Sequence, residues 1–152
     1  MSDHLLISFF ILVLCIDAAR AGLFEKNRVV IVNELQHGKL LMVHCKSKDD
    51  DLKFHLLAPG AIYEFGFRDN APLTTPFWCN LWQGPRYKHH QAFEVYRSLG
   101  VPQFGRRFAW ESREDGIYQY IDESRSVFRY RWDAPHGDDS PSSSFDENLP
   151  PR

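Results

Sequence analysis

The sequence predicts an all-β fold, a small antiparallel β-sandwich of about eight or nine short strands. Residues that favour strands recur at short intervals, and aromatic residues alone make up 14% of the 152 residues. Turn residues separate the apolar runs, which start about 8 to 14 residues apart, and no amphipathic stretch is long enough for a convincing helix. Short strands at this spacing are typical of sandwiches and barrels, and a small α/β fold is the less favoured alternative.

The strands follow one another from residue 29 onwards. Val29–Val32 is the first apolar run and Leu40–Cys45 is the second. Tyr63, Phe65 and Phe67 alternate with polar or small residues, which places three aromatic side chains on one face of a strand. The same rule predicts a shared face in each of three further strands: Leu52, Phe54 and Leu56 in the first, Phe77, Cys79 and Leu81 in the second, and Phe108 and Trp110 in the third. Residues 117–121 and 127–132 are predicted to form a final hairpin, in which Phe128, Tyr130 and Trp132 share a face.

The two ends of the chain differ in character from the domain between them. Leu5–Ile16 is apolar but short for a membrane span, and Ala19-Arg20-Ala21 has the small-x-small spacing of a signal-peptidase site. We therefore predict a signal peptide over residues 1–21 and a β-domain over residues 22–134. Residues 135–152 are predicted to be a disordered acidic tail, because too few apolar groups remain to offset the entropy of ordering. The mature protein is expected to be secreted, with no insertion into a membrane.

Charge argues against a nucleic-acid-binding protein. The formal net charge of the whole chain is −2. The signal peptide carries −1 and the tail carries −3, which leaves +2 for residues 22–134. A domain that binds nucleic acid normally has a much stronger basic patch.

No set of residues has the pattern of a catalytic or metal site. Asp49-Asp50-Asp51 lacks the ligand spacing of an EF-hand, and neighbouring lysines neutralise it. His89-His90 lies in a basic segment with nothing to tune either ring for acid–base chemistry. His44 and His55 lack a third ligand at metal-site spacing. We therefore predict that the protein is not an enzyme and holds no cofactor or metal.

Two cysteines remain once the signal peptide, with Cys15, is removed. Cys45 and Cys79 both lie on inward faces of predicted strands. The oxidising environment outside the cell favours a disulfide, and a catalytic thiol beside an inert cysteine is the alternative.

The run from His44 to Leu52, His-Cys-Lys-Ser-Lys-Asp-Asp-Asp-Leu, resembles the signature of the plant self-incompatibility S-proteins and their homologues. Further matches follow in order and spacing: His55, Gly60, Tyr63-x-Phe65-x-Phe67, Asn70, Thr75-Pro76-Phe77-Trp78-Cys79, Trp110 and Asp115-Gly116-Ile117-Tyr118. The resemblance covers roughly residues 29–132. It implies a disulfide-stabilised β-sandwich that is secreted into the plant apoplast and has no catalytic activity.

The resemblance also implies a function. The best-understood members of the family are stigma-expressed ligands that trigger rejection of self pollen through a pollen surface receptor. We therefore expect a monomeric signalling ligand that binds a plasma-membrane receptor on a neighbouring plant cell. A carbohydrate- or cell-wall-binding module that uses exposed tryptophans such as Trp78 or Trp82 is the alternative. The expected receptor contacts are charged loop residues: Lys46, Lys48, Asp49, Asp50 and Asp51 in one loop, Arg86 and Lys88 in another.

The chain departs from the family pattern at the cysteines and at one glycine. The family usually has four cysteines, two of them in a Cys-x-x-Cys-x-Trp arrangement, where this chain has Gly105 and Phe108 ahead of Trp110. If the two missing cysteines form one pair in the family, Cys45 and Cys79 pair with each other, and this is our prediction. If each pairs with a missing partner, both are free thiols. Lys53 stands where glycine is usual.

Overall fold

The computed structural model describes residues 25–69, 76–122 and 124–135. The predicted signal peptide over residues 1–21 lies outside the described residues, as does the predicted acidic tail after residue 135. In the part that the structure describes, no helix is long and apolar enough to cross a membrane.

Nine strands form two sheets within the described residues, in agreement with the β-sandwich that the sequence predicts. The five-stranded sheet has the order β4-β1-β7-β8-β9, and the four-stranded sheet has the order β3-β2-β5-β6. The strands are β1 (Asn27–Asn33), β2 (Leu41–Lys46), β3 (Asp51–Leu57), β4 (Ile62–Phe67), β5 (Pro76–Gln83), β6 (His89–Arg97), β7 (Arg107–Arg113), β8 (Gly116–Asp122) and β9 (Arg125–Tyr130), and a short 3-10 turn (Pro85–Tyr87) lies between β5 and β6.

One strand pair corrects the prediction of a purely antiparallel sandwich. β1 and β7 run parallel, with Val29 opposite Phe108 and Ile31 opposite Trp110. A parallel pair cannot be closed by a tight hairpin and needs a long connection, here the whole of β2 to β6. Alternation of apolar and polar residues carries no information about strand direction, so the sequence pattern could not reveal this pair.

The hydrophobic core lies between the two sheets. Val29 and Ile31 of the five-stranded sheet meet Val43 and Leu81 of the other, and all four are fully buried. Burying an aliphatic side chain of this size stabilises the fold by about 1.5–3 kcal/mol. Aromatic rings extend the core, and in one pair the ring centroids of Phe93 (β6) and Trp110 (β7) are 4.9 Å apart. Phe108 is half-buried against this core, with its ring 4.9 Å from that of Tyr96 (β6).

A β-bulge in β3 overturns the predicted face of that strand. Cys45 of β2 faces two residues, Leu52 and Lys53, because His44 pairs with Phe54 while Lys46 pairs with Asp51. Lys53 takes a left-handed backbone conformation, with φ 64°. Residues after the bulge are therefore displaced by one position. Phe54 and Leu56, predicted to share the inward face of Leu52, are exposed, and Leu57 is buried instead.

A second bulge, in β9, places aromatic residues that were predicted to share one face of the last strand on opposite faces. Ile117 pairs with Tyr130 and Tyr118 pairs with Phe128, so Arg129 is the extra residue. Tyr130 packs inward, with its ring 5.0 Å from that of Phe93, whereas Phe128 is exposed. Trp132 follows the end of β9 and is buried in the core.

Candidate binding surface

Strand directions distribute the loops between two ends of the sandwich. In the antiparallel pair β2–β5, Lys46 faces Trp78 and Met42 faces Trp82. The loop after β2 and the loop after β5 therefore lie at opposite ends of the four-stranded sheet. We name one the disulfide end, with residues 47–50 and 98–106, and the other the clasp end, with residues 34–40, 58–61, 84–88 and 131–135.

Cys45 and Cys79 form a disulfide beneath the disulfide end. The two residues face each other across β2 and β5, with 4.0 Å between their Cα atoms, and both side chains are fully buried. A buried, bonded sulfur offers no thiolate for nucleophilic attack. The pair therefore fastens the two strands together immediately below the loop that follows β2.

The charged loop, Lys46–Asp51, is a compact turn. The Oγ atom of Ser47 accepts hydrogen bonds from the backbone N–H groups of Asp49 (3.3 Å) and Asp50 (3.1 Å). The N–H of Ser47 donates to the carbonyl oxygen of Asp50 (2.8 Å). With the backbone held in this way, Lys48, Asp49 and Asp50 present their side chains to solvent. Within the described ranges, no group of three or more His, Cys, Asp and Glu residues could hold a metal ion.

Asp51 differs from the other predicted contact residues because it anchors the loop. Its Oδ1 atom accepts one hydrogen bond from Nε2 of His44 (2.8 Å) and another from the backbone N–H of Lys53 (2.8 Å). The bond from His44 is the main reason that the pKa of Asp51 falls to about 2, and the bond from Lys53 adds to it. His44 is itself buried, with its ring stacked on Phe54 at 4.4 Å. Asp51 is therefore an ionised carboxylate whose hydrogen bonds fix the base of the charged loop.

A second loop at the same end exposes apolar side chains. The apolar loop, residues 98–106 between β6 and β7, leaves Leu99 75%, Val101 60% and Phe104 44% exposed. Sequence reasoning missed this site, because the segment belongs to none of the predicted strands and carries no recognised motif. The available signal was three apolar residues separated by glycine and proline, since such a segment cannot bury a regular strand face.

Buried and half-buried polar groups anchor the base of the apolar loop. The side-chain amide of Asn27, which is almost fully buried, donates to the carbonyl oxygen of Gln103 (2.8 Å) and accepts from the backbone N–H of Arg106 (3.0 Å). Asp69 accepts from the backbone N–H of Gln103 (3.3 Å) and from the hydroxyl of Tyr96 (2.5 Å). Burial, together with that last bond, raises the pKa of the Tyr96 hydroxyl, so it remains a donor.

Arg86 and Lys88, the other predicted contacts, lie on an exposed loop at the clasp end. Arg86 and Tyr87 both have left-handed backbones, with φ 56° and φ 53°. Such conformations are unfavourable for residues other than glycine and persist only where surrounding structure fixes them. The backbone N–H of Tyr87 donates to the carbonyl oxygen of Gly84 (3.0 Å), and that of Lys88 donates to the carbonyl oxygen of Pro85 (3.3 Å). This loop is therefore a closed turn held by its own backbone.

Asp133 clasps the chain after β9 onto β6. Its carboxylate accepts hydrogen bonds from the backbone N–H of His90 (2.9 Å) and from Nδ1 of His89 (2.7 Å), and its own N–H donates to the carbonyl oxygen of His90 (2.8 Å). Partial burial raises the pKa of Asp133, but the bonds from the two histidines outweigh it and the net pKa is lowered. The His89 side chain and the backbone of His90 therefore have a structural role in joining the edges of the two sheets.

The buried side chain of Asn33 joins segments of the clasp end by hydrogen bonds. Its side-chain amide donates to the carbonyl oxygens of Lys39 (3.0 Å) and Leu57 (2.9 Å), and its Oδ1 atom accepts from the N–H of Leu35 (3.0 Å). Asn33 is fully buried. One side chain therefore joins the β1–β2 connection to the end of β3.

The tryptophans proposed for carbohydrate binding are not a stacking platform. Trp82 is only 5% exposed, so the prediction that it is exposed is wrong. The rings of Phe54 and His90 cover it, with centroids 5.9 Å and 4.9 Å away. Trp78 is half-buried on the same outer face of the four-stranded sheet.

Comparisons with known proteins by sequence and by structure find members of the same family. A family profile described as plant self-incompatibility protein S1 matches residues 28–132. S-protein homolog 11 of Arabidopsis thaliana is 46% identical over 129 residues, which cover 82% of this chain and 90% of the relative. S-protein homolog 9 of the same plant is 39% identical over 131 residues, or 83% and 97% of the two chains. A solved structure from the self-incompatibility protein homologues, described as a widespread family of small, highly stable, secreted plant proteins, is 27% identical with a TM-score of 0.60, covering 71% of this chain and 95% of that one.

Proposed function

Because the chain belongs to the plant self-incompatibility S1 family, we propose that it is a secreted signalling ligand that acts in the apoplast by binding a plasma-membrane receptor on a neighbouring plant cell. It binds as a monomer and carries out no catalysis. Family membership and the description of its relatives as secreted plant proteins support this proposal. The signal peptide predicted over residues 1–21 fits the same route.

The observation that carries the proposal is the construction of the disulfide end. Exposed charges of the charged loop lie on a turn that Asp51, Ser47 and the buried disulfide hold in place. A binding loop on a rigid scaffold loses little conformational freedom when it meets a partner. Because the loop carries charges of both signs, a partner needs the complementary pattern of charges. A protein without that pattern would bring like charges together and bind more weakly.

The contact surface proposed here lies at the disulfide end and does not include Arg86 and Lys88. β5 runs from Trp78, beside the charged loop, to Gln83, beside the clasp end. At about 3.3 Å per residue the two ends are roughly 17 Å apart along this strand. A partner that docks on the loops of the disulfide end can therefore bind without contacting Arg86 or Lys88.

The test uses the secreted protein, produced in plant cells from the full-length chain and labelled with a fluorophore. It is added to protoplasts of the tissue that neighbours its site of expression. We expect saturable binding that excess unlabelled protein displaces and that protease treatment of the protoplasts abolishes. Binding that does not saturate would contradict the proposal. Binding to isolated cell-wall fragments but not to protoplasts would replace it with the wall-binding function.

A further inference from the structure

We infer that the apolar loop is the centre of the receptor-binding surface and that the charged loop forms part of its rim, so that the partner is a protein with an apolar recess that carries acidic groups opposite the arginines beside the apolar loop. This inference rests on the proposed function and adds to it the chemistry of the partner. The apolar loop is the short segment 98–106, and its three exposed apolar side chains are Leu99, Val101 and Phe104.

Polar side chains at the base of the apolar loop hold its apolar residues in their exposed positions. Asn27 and Asp69 fix the backbone of Gln103, and Asn27 also fixes that of Arg106. The backbone N–H of Gly105 donates to the carbonyl oxygen of Glu25 (3.2 Å). Buried Asn27, half-buried Asp69 and the backbone of Glu25 therefore hold a loop whose tip keeps apolar side chains in water. Such a loop can enter a recess with little further ordering, which is the main benefit of preorganisation.

The charged loop and the apolar loop lie close to each other at the disulfide end. β2 pairs with β5, and β5 pairs with β6, so the ends of β2 and β6 are two strand spacings apart. At about 4.8 Å per spacing, the charged loop and the apolar loop start roughly 10 Å from each other. An apolar centre beside charged groups is the usual composition of a protein–protein interface.

Cationic side chains flank the exposed apolar residues. Arg106 and Arg107 follow Phe104 after one intervening glycine, and both are exposed. Arg97 precedes them, is also exposed, and forms an ion pair with Glu94. The guanidinium groups of these arginines can form ion pairs with carboxylates of a partner protein whose apolar recess receives the loop.

A membrane surface fits these features less well. Recognition of anionic lipid uses clusters of about four to eight Lys and Arg residues or an amphipathic helix. The strong negative surface potential also belongs to the cytoplasmic leaflet, which a secreted protein does not meet. The arginines beside the apolar loop are therefore better matched by an acidic protein.

The experiment compares two double substitutions in the protoplast assay. Leu99→Asp/Val101→Asp places two carboxylates on the apolar loop. Leu56→Asp/Ile62→Asp is the matched control, because these aliphatic side chains are 54% and 57% exposed and lie on β3 and β4, towards the clasp end. We expect the first variant to bind at least about tenfold more weakly than the wild type, and the control to stay within about twofold, because apolar anchors in the centre of an interface dominate affinity. Melting curves confirm that each variant is folded, and Leu99→Ser replaces the first variant if it is not.

Each outcome decides a different point. If the wild type fails to bind saturably, the proposed function fails. If the wild type binds and Leu99→Asp/Val101→Asp binds equally well, this inference is overturned and the proposed function stands. Wild-type binding to phosphatidylcholine–phosphatidylserine vesicles that this variant loses would overturn the protein partner in favour of a membrane. A concentration-dependent dimer that the same variant dissolves, measured by analytical ultracentrifugation, would overturn it in favour of a second copy of the chain.

Discussion

The two ends of β1 use the same residue type to hold loops of opposite character. Asn27 and Asn33 are the first and last residues of the strand, and both are buried. Asn33 closes turns by satisfying three backbone groups of neighbouring segments. Asn27 supports a loop whose apolar side chains stay in solvent. The comparison indicates that the clasp end keeps the sandwich shut, whereas the disulfide end presents a surface.

The largest expected effect comes from the disulfide that joins β2 to β5. Replacing both cysteines, Cys45→Ser/Cys79→Ser, should lower the free energy of unfolding by about 3–4 kcal/mol, because the bond closes a loop with a sequence separation of 34 residues in the unfolded chain. Urea unfolding with and without reductant measures this loss. An unfolding curve that reductant leaves unchanged, or two cysteines alkylated in the folded protein, would show that the bond is absent in solution.

Substitutions at the clasp end should lower the stability of the fold without weakening binding to protoplasts. Asn33→Ala removes three hydrogen bonds from buried backbone groups and should cost about 3 kcal/mol. The exposed neighbour Glu34 supplies the control, since Glu34→Ala should change stability by less than about 0.5 kcal/mol. Protoplast binding of the folded fraction should equal that of the wild type. A folded Asn33→Ala protein that fails to bind would remove the division of roles between the ends.

Substitutions at the base of the disulfide end should lower both the stability of the fold and the affinity for protoplasts. Asn27→Ala removes two hydrogen bonds from the base of the apolar loop and should cost about 2 kcal/mol, less than Asn33→Ala. The released loop must then be ordered on binding, so the affinity for protoplasts should also fall. Hydrogen exchange at Gln103 and Arg106 should be faster than in the wild type. Unchanged exchange at both residues would mean that Asn27 does not fix the loop.

A smaller effect is expected at the bulge beside the charged loop. Lys53 has φ 64°, a conformation that glycine adopts without steric cost. Lys53→Gly should therefore raise the free energy of unfolding by up to about 1 kcal/mol, despite the loss of a well-exposed ion pair with Asp51. Lys53→Ala, which removes the same charge but keeps a Cβ atom, is the matched control. Equal stability of the two variants would contradict backbone strain at this position.

The smallest effect is the pH dependence due to Asp51. Its pKa of about 2 in the folded protein lies below the usual value, so the unfolded chain binds the proton more readily. The contribution of Asp51 is complete above about pH 5 and is lost as the pH falls towards 2. Because this carboxylate is half-exposed, the contribution should stay below about 1 kcal/mol. Asp51→Asn should flatten the stability profile over this range, and a profile that keeps its slope would contradict the role of the His44 bond.

Much of the fold could be predicted from residue patterns and from family resemblance. Alternation in segments such as Tyr63–Phe67 gave the strands, and the family resemblance of the run from His44 to Leu52 is confirmed by the comparisons. The face of Phe54 and of Phe128 could not be predicted, because one extra residue in a bulge puts the side chains before it out of phase with those after it. The parallel β1–β7 pair also left no trace in local sequence.

The candidate site was predicted less completely than the fold. Lys48, Asp49 and Asp50 are exposed on the charged loop, as their composition suggested. The separate role of Asp51 depends on a hydrogen bond to His44, seven positions away. Asn27 reaches the apolar loop across a sequence separation of 76 residues. Side-chain contacts over such separations follow from how the sheets pack, and residue spacing does not encode them.

The most direct test of a single binding end is a pair of charge reversals with equal change in net charge. Lys46→Glu/Lys48→Glu alters the charged loop at the disulfide end, and Arg86→Glu/Lys88→Glu alters the loop after β5 at the clasp end. Saturation binding to protoplasts is measured for both variants and for the wild type, with melting curves to confirm that each is folded. We expect weaker binding for the first variant and unchanged binding for the second. Weaker binding for the second alone, or equal weakening of both, would contradict a single binding surface at the disulfide end.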